Sequence, residues 1–301
     1  MKFYIADAFT DTLFGGNPAG VVILDDGQDF PSDEIMVKTA AELRYSETAF
    51  IKPLSNSEFN IRYFTPAAEV DLCGHATIAS FSCLLDAGLV CDGGEYTNKT
   101  LAGDLSIKIQ DGFIMMEMGT PEHIATMDNG ENINGLYEIM GIPYEPVTVK
   151  SSEGTEINLL PMMISTGLPD IMMPVPTRQR LEEISPDFKK LSKLSQKYNV
   201  VGVHAFTLDN ETPQTTAHCR NFAPLYDIDE EAATGTSNGA LTYYMYINKL
   251  INAGADSTFI QGEAMDRPSA ILSNLLIHDD NSVEIKVGGS AKILASGEIN
   301  L

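Results

Sequence analysis

Apolar positions along this 301-residue chain fall mostly into short alternating runs, and two longer apolar runs of helical length interrupt them. Alternation with period two predicts half-buried strands, and recurrence near 3.6 predicts helices. By that reading Met1–Ala8 and Ala19–Leu24 are strands, with Phe14–Pro18 as a turn between them. Ser32–Leu43 is a helix, with Ser32 and Asp33 as cap candidates and Met36, Ala40 and Leu43 on one face. Glu47–Ile51 and Phe59–Phe64 are strands, and the first long apolar helix is His75–Leu89. Leu105–Ile109 and Phe113–Met118 form a hairpin about Gln110-Asp111-Gly112. Gly119–Asn134 is polar and rich in breakers, so it reads as a linker.

Beyond it, Ile133–Met140 reads as a short helix, Leu159–Ser165 and Asp170–Val175 as strands, and Ser185–Leu194 as an amphipathic helix. In that helix Ser185 is the cap and Pro186 is tolerated in the first turn. Val200–Leu208 and Thr215–Phe222 are strands, and the second long apolar helix is Thr236–Ile251. Ala270–His278, Ser282–Val287 and Ala291–Leu301 close the chain as strands.

The two apolar helices are introduced by related segments. RYFTPAAEVDLCGHAT begins at Arg62 and RNFAPLYDIDEEAATGTS at Arg220. Arg62, Phe64 and Pro66 recur as Arg220, Phe222 and Pro224, at one constant offset of 158 residues. The loop that follows runs to Gly74 in the first segment and, three residues longer, to Gly235 in the second. So long a period excludes a solenoid and implies duplication of a whole domain. The expected fold is α+β: two pseudo-symmetric domains, each a bent mixed or antiparallel sheet wrapped around a central apolar helix. A Rossmann arrangement is excluded because no GxGxxG follows an early strand.

A formal charge of −23 argues against nucleic acid and anionic membrane surfaces as partners. An anionic substrate would therefore have to be attracted locally. A helix start supplies that attraction, since about four N–H groups lack intrahelical partners there and carry partial positive charge. Cys73, Cys83, Cys91 and Cys219 lack metal-ligand CxxC spacing, and the five histidines lack HxH or HxxxH spacing, so no metal is expected. No signal peptide or apolar run of bilayer length is visible, and the cytoplasm is the expected compartment.

Three segments hold the candidate chemistry: Arg44–Phe50, Asp71–His75 and Asp227–Thr236. A carboxylate such as Glu47 and an imidazole such as His75 suit proton transfer near neutral pH. Cys73, at a helix N-terminus, could act as a thiol base or nucleophile. The second segment has Thr234 at the matching place, so a symmetric pair of thiols is excluded.

SETAF at Ser46–Phe50, the two related segments, FGGNPAGVV near the start, and QGEAMDRPS and VGGSA near the end resemble the phenazine-biosynthesis PhzF-like family over nearly the whole chain. That resemblance implies the fold of diaminopimelate epimerase and proline racemase: two pseudo-symmetric halves with the site between them. It implies domains of residues 1–119 plus 290–301 and of residues 120–289, because the last strand crosses back into the first half. It further implies that Glu47 is a general acid/base, that His75 lies beside the substrate, and that Glu231 is the third catalytic group. Asn17, Ser46, Cys73, Gly74, Gly235 and Thr236 would bind substrate. The family's Glu-Asp-Pro-Ala-Thr-Gly-Ser here reads EEAATGT, so Glu231 replaces aspartate and Thr236 replaces serine. Both replacements keep chemical type and alter reach toward the founding enzyme's substrate, a dihydro-hydroxyanthranilic acid.

The expectation is a cofactor-independent isomerase acting on a small anionic metabolite, with a homodimer as the assembly kept open. An epimerase or racemase using Cys73 with a non-thiol partner, and a non-catalytic binding protein of the same fold, are the alternatives.

Overall fold

The computed structural model describes every residue from Met1 to Leu301. The chain forms two compact units, Met1–Glu117 with Gly288–Leu301, and Met118–Val287. Each is a mixed sheet built about one buried helix, and the same succession of pairings occurs in both.

In the first unit Ala291–Glu298 pairs antiparallel with Lys2–Ala8, which pairs antiparallel with Asn17–Ile23. Asn17–Ile23 runs parallel to Thr48–Pro53, and that strand is antiparallel to Glu58–Phe64. Glu58–Phe64 runs parallel to Glu95–Thr100, which leads antiparallel through Gly103–Gln110 to Phe113–Glu117. The last turn is a two-residue loop, Asp111-Gly112, with φ of 54° and 77°. Two positive φ values match the right-handed twist of the flanking strands, and Gly tolerates one at no steric cost.

Helix α1 (Asp33–Leu43) lies on this sheet through Met36 and Ala40, against Val22, Leu24, Phe50 and Phe64. Helix α2 (Gly74–Asp86) touches strands at both ends of the order, from Ala291–Glu298 round to Phe113–Glu117. The sheet therefore curls about α2. Nine of its residues are buried, including Ile78, Phe81 and Leu84, each contributing about 1.5–3 kcal/mol by leaving water. A helix surrounded in this way is buried on most faces rather than on one stripe, which is why small and apolar residues dominate its run.

The second unit repeats these pairings. Glu122–Thr126 is antiparallel to Met162–Ser165, which is antiparallel to Pro169–Pro174. Pro169–Pro174 is parallel to Gly202–Thr207, and that strand is antiparallel to Ala217–Ala223. Ala217–Ala223 is parallel to Asp256–Gln261, which is antiparallel to Ser269–Ile277; the chain then turns into Val283–Gly289. Helices α3 (Gly130–Ile139), α4 (Arg178–Glu182) and α5 (Phe188–Tyr198) add Leu136, Leu181 and Leu191 to a second apolar cluster. Helix α6 (Gly235–Ile247) is the central one, packed on Met162–Ser165, Pro169–Pro174 and Ser269–Ile277.

Four expectations are corrected. Gly119–Asn134 is no linker: it contains the strand Glu122–Thr126 and the start of α3. That strand is largely exposed, so it carries no apolar alternation. The run Leu159–Ser165 is divided at Leu160-Pro161 into the end of one strand (Glu156–Leu159) and the whole of another (Met162–Ser165). A proline cannot donate to a ladder, which accounts for the break. The helix expected from Ser185 begins instead at Phe188, where the Asp187 carboxylate accepts from Lys190 N. Finally, Ser32 precedes α1 without a side-chain cap bond.

The repeated motif has a repeated physical use. Arg62 forks onto Glu69 through Nε and a terminal nitrogen at 2.7 and 2.6 Å, and its guanidinium lies 5.1 Å from the Phe64 ring centre. Arg220 does the same with Glu230, at 2.8 Å on both bonds, and lies 4.9 Å from the Phe222 ring centre. A planar fork stacked on an aromatic face fixes the acidic loop before each central helix.

The second unit also encloses a polar network. Asp170 accepts from Gly202 N at 2.9 Å and from Ser237 Oγ. Asn221 Nδ2 donates to Ser237 Oγ at 3.1 Å and to His204 Nδ1 at 3.2 Å. Burial pushes the Asp170 carboxyl up to about 6 and the His204 imidazole down to about 3.

The two groups act in opposite senses on stability. Asp170, raised in the folded state, contributes stability that is full below 3.8 and lost as pH rises through about 6. His204, lowered in the folded state, contributes stability that is full above 6.5 and lost as pH falls toward about 3. Each slope is at most about 1.4 kcal/mol per pH unit. Asp170→Asn removes the first and keeps the second, so the variant should lose stability more steeply than wild type between pH 6 and pH 4. Urea unfolding at several pH values checks this; parallel profiles for the two proteins would contradict it.

Candidate active site

The first unit gathers its chemistry where α1 ends and α2 begins. Arg44 closes α1 in the left-handed conformation, φ 62°. The chain then passes through Tyr45 and Ser46, and Glu47 stands immediately before the strand Thr48–Pro53. Glu47 O accepts from Gly20 N at 3.4 Å, which ties this entry to the neighbouring strand. Cys73 is the extended residue before α2, Gly74 is the first helical residue, and His75 is the second.

The His75 ring is the hub. Its Nε2 lies 3.2 Å from Glu47 Oε2 and 3.3 Å from Ser46 Oγ. Its Nδ1 lies 3.4 Å from Cys73 Sγ. The Glu47 and His75 side chains are 12% and 5% exposed, so the pair is largely shut off from water. Glu47 Oε2 is buried and makes no aligned hydrogen bond, despite its proximity to the imidazole. Burial lowers the pKa of His75, and the nearby Glu47 carboxylate opposes that shift in part. Burial thus favours a neutral ring, with Nε2–H toward Glu47 and Ser46 and Nδ1 toward the Cys73 thiol as the tautomer that suits these neighbours.

The helix start beside this ring has no side-chain cap. Helices α3, α4 and α5, by contrast, are capped by Asn129, Thr177 and Asp187. A helix start among buried residues and without a cap leaves donors for something else to satisfy. Behind it runs a directed chain of hydrogen bonds. Asn98 Nδ2 donates to Tyr63 Oη at 2.8 Å, Tyr63 Oη to Thr77 Oγ1 at 2.6 Å, and Thr77 Oγ1 to Cys73 O at 2.7 Å. That chain holds Cys73 and the first turn of α2 from the core side.

The second unit prepares α6 in a parallel way. Thr234 precedes the helix without capping it. Asn238 Nδ2 donates back to Thr234 O at 2.8 Å, the same four-residue relation as Thr77 to Cys73. Gln261 Nε2 donates to Glu231 O at 2.8 Å and to Thr234 Oγ1 at 3.1 Å. Thr234 Oγ1 lies 3.4 Å from Glu231 Oε2, and Thr236 O accepts from Thr166 Oγ1 at 2.9 Å.

The sequence-expected residues thus fall into two groups. Ser46, Glu47, Cys73, Gly74 and His75 come together at α2, while Glu231, Gly235 and Thr236 come together at α6. Asn17 is buried at the head of its strand, opposite Ala8. The positioning residues Tyr63, Thr77, Asn98, Asn238 and Gln261 were not singled out from the sequence. Their one legible signal is Thr77 and Asn238, polar positions four residues after Cys73 and Thr234 in the two matched helices. Glu47, Cys73 and His75 also offer three metal-ligand atoms lying within 4.8 Å of one another. No helix is long and apolar enough to cross a membrane.

A pair of α+β units with the same pairings, each built about a buried central helix whose start carries no side-chain cap, defines the fold class as that shared by PhzF-family proteins and proline racemase-like proteins. The chain belongs to the PhzC–PhzF family of phenazine biosynthesis-like proteins, whose family model matches residues 6–297. An uncharacterised isomerase of Clostridium acetobutylicum is 33% identical, with 100% of this chain and 98% of the relative covered. A solved PhzF-family phenazine biosynthesis protein of Bacillus anthracis superposes with a TM-score of 0.86 at 23% identity, covering 100% and 99% of the two chains. A probable proline racemase of Agrobacterium radiobacter shares the fold, with a TM-score of 0.61 at 11% identity and coverage of 100% and 93%.

The hydrogen-bond chain behind α2 carries a stability prediction. Thr77→Val should cost about 1–3 kcal/mol, because the buried Tyr63 hydroxyl loses its acceptor. Thr77→Ser keeps the hydroxyl and should cost less. Denaturant melts compare the two; a valine variant as stable as wild type would contradict the assignment.

Proposed function

We propose that this chain is an isomerase that moves a proton between carbons of a small carboxylate-bearing metabolite, with Glu47 as the acid/base. The observation that carries the reading is a largely buried carboxylate 3.2 Å from the ring of His75, beside a helix start without a cap. With a formal charge of −23, the molecule as a whole repels an anion, so attraction has to come from local donors. The N–H groups at Gly74 and His75 supply it.

In this mechanism the Glu47 carboxylate takes a proton from a carbon next to an unsaturated or carboxylate group. The electrons of that C–H bond pass into the conjugated system, and the first-turn N–H groups of α2 stabilise the negative charge that develops. Protonated Glu47 then gives its proton to another carbon of the same molecule, which restores the starting charge and completes the isomerisation. His75 Nε2, 3.2 Å from Glu47 Oε2, faces the carboxylate as it gains and loses its proton, and Ser46 and Cys73 hold the ring in place. A carboxylate held near a neutral hydrogen-bond donor, largely out of bulk water, suits a group that both accepts and returns a proton.

One observation favours a second reading. The Cys73 thiol, 3.4 Å from His75 Nδ1, could surrender its proton to the imidazole and act as the base of an epimerase. The two readings separate by mutation. Wild type is screened by proton NMR against a panel of small amino and aromatic acids to find one that is converted. Glu47→Gln should then lower the rate about 10²–10⁴-fold, while Cys73→Ser stays within about tenfold of wild type. The reverse pattern would transfer the role to Cys73.

A further inference from the structure

We infer that Glu47, Cys73 and His75 also form a binding site for a single borderline-soft divalent cation, of which Zn²⁺ is the natural example. The ligand set is one carboxylate oxygen, one thiol sulfur and one imidazole nitrogen, a combination suited to Zn²⁺ and poorly suited to Mg²⁺ or Ca²⁺. Tetrahedral Zn²⁺ with bonds of about 2.0–2.3 Å places neighbouring ligand atoms roughly 3.3–3.7 Å apart. His75 Nε2 already lies 3.2 Å from Glu47 Oε2 and 3.8 Å from Cys73 Sγ. All three ligand atoms lie within 4.8 Å of one another, so small side-chain movements complete the geometry.

A second observation points the same way. Glu47 Oε2 is buried without an aligned hydrogen-bond partner, which leaves a lone pair directed into the cluster. Three protein ligands fill three tetrahedral positions and leave the fourth for water or a small anion. Binding is balanced by proton movement: the Cys73 thiol gives up its proton as the sulfur–metal bond forms, and the His75 ring proton shifts from Nε2 to Nδ1 so that Nε2 can ligate, so about one proton leaves per metal bound at neutral pH. The metal is an occupant and not a participant in the proposed reaction. Resting on the reading of Glu47 as acid/base, it follows that a metal-loaded molecule is silent, because the lone pair that takes the proton is then bonded to the cation.

Co²⁺ serves as the spectroscopic probe of the full-length protein, with Cys91→Ser as the background because Cys91 is the one exposed thiol. The expected result is a 1:1 complex with a thiolate-to-cobalt charge-transfer band in the near ultraviolet and visible bands of tetrahedral cobalt. Zn²⁺ should displace it. Adding Cys73→Ser should abolish the charge-transfer band, and adding Glu47→Gln should weaken binding at least tenfold while the thiolate band persists at high Co²⁺. Absence of the band, or its survival without Cys73, would overturn the site and leave the proposed function untouched. Isomerisation is read separately: activity should fall in proportion to Zn²⁺ occupancy. Full activity in a zinc-loaded molecule would leave the metal site standing and contradict the role given to Glu47.

Discussion

Both units depend on starting a helix inside the protein. The first turn of an α-helix leaves N–H groups unpaired, and burying one without a partner costs about 1–3 kcal/mol. Three of the more exposed helices meet that cost with Asn129, Thr177 and Asp187 as caps. The two central helices do not; Cys73 and Thr234 precede them without capping. Their starts are instead held from behind, by Thr77 on the carbonyl of Cys73 and Asn238 on the carbonyl of Thr234.

Around that shared constraint the duplicated scaffold has kept some residues and changed others. The arginine, the phenylalanine two residues on and the glutamate they hold recur with nearly the same geometry. They fix where the acidic loop turns into the helix, so their role is structural. The residues at the helix start itself have diverged. The first unit carries a thiol and an imidazole beside Glu47, and the second carries threonines beside Glu231. The side chains at the two helix starts therefore differ while the architecture remains common to both.

Much of this was legible in the sequence because the duplication exposes it. The paired Arg-x-Phe-x-Pro motifs located both central helices, and the resemblance singled out Glu47 and His75, which lie together in the structure. What was missed lacks a local apolar pattern in the sequence. Glu122–Thr126 is largely exposed, so its sequence resembles a linker, although it takes the place in the second unit that Ala291–Glu298 takes in the first. The strand Asp256–Gln261 and the short helix Arg178–Glu182 likewise lack a run long enough to stand out. Tyr63, Asn98 and Gln261 act through hydrogen bonds across large sequence separations, which no local pattern encodes.

The central claim is that the uncapped start of α2 binds the carboxylate of the substrate and presents a carbon to Glu47. A crystal structure of the Glu47→Gln protein with an acid that wild type converts tests it most directly. The account predicts a carboxylate oxygen about 3 Å from the N–H groups of Gly74 and His75, with the reacting carbon about 3–3.5 Å from the side chain at position 47. A substrate bound with its carboxylate away from α2, or with every exchangeable carbon beyond reach of position 47, would contradict it.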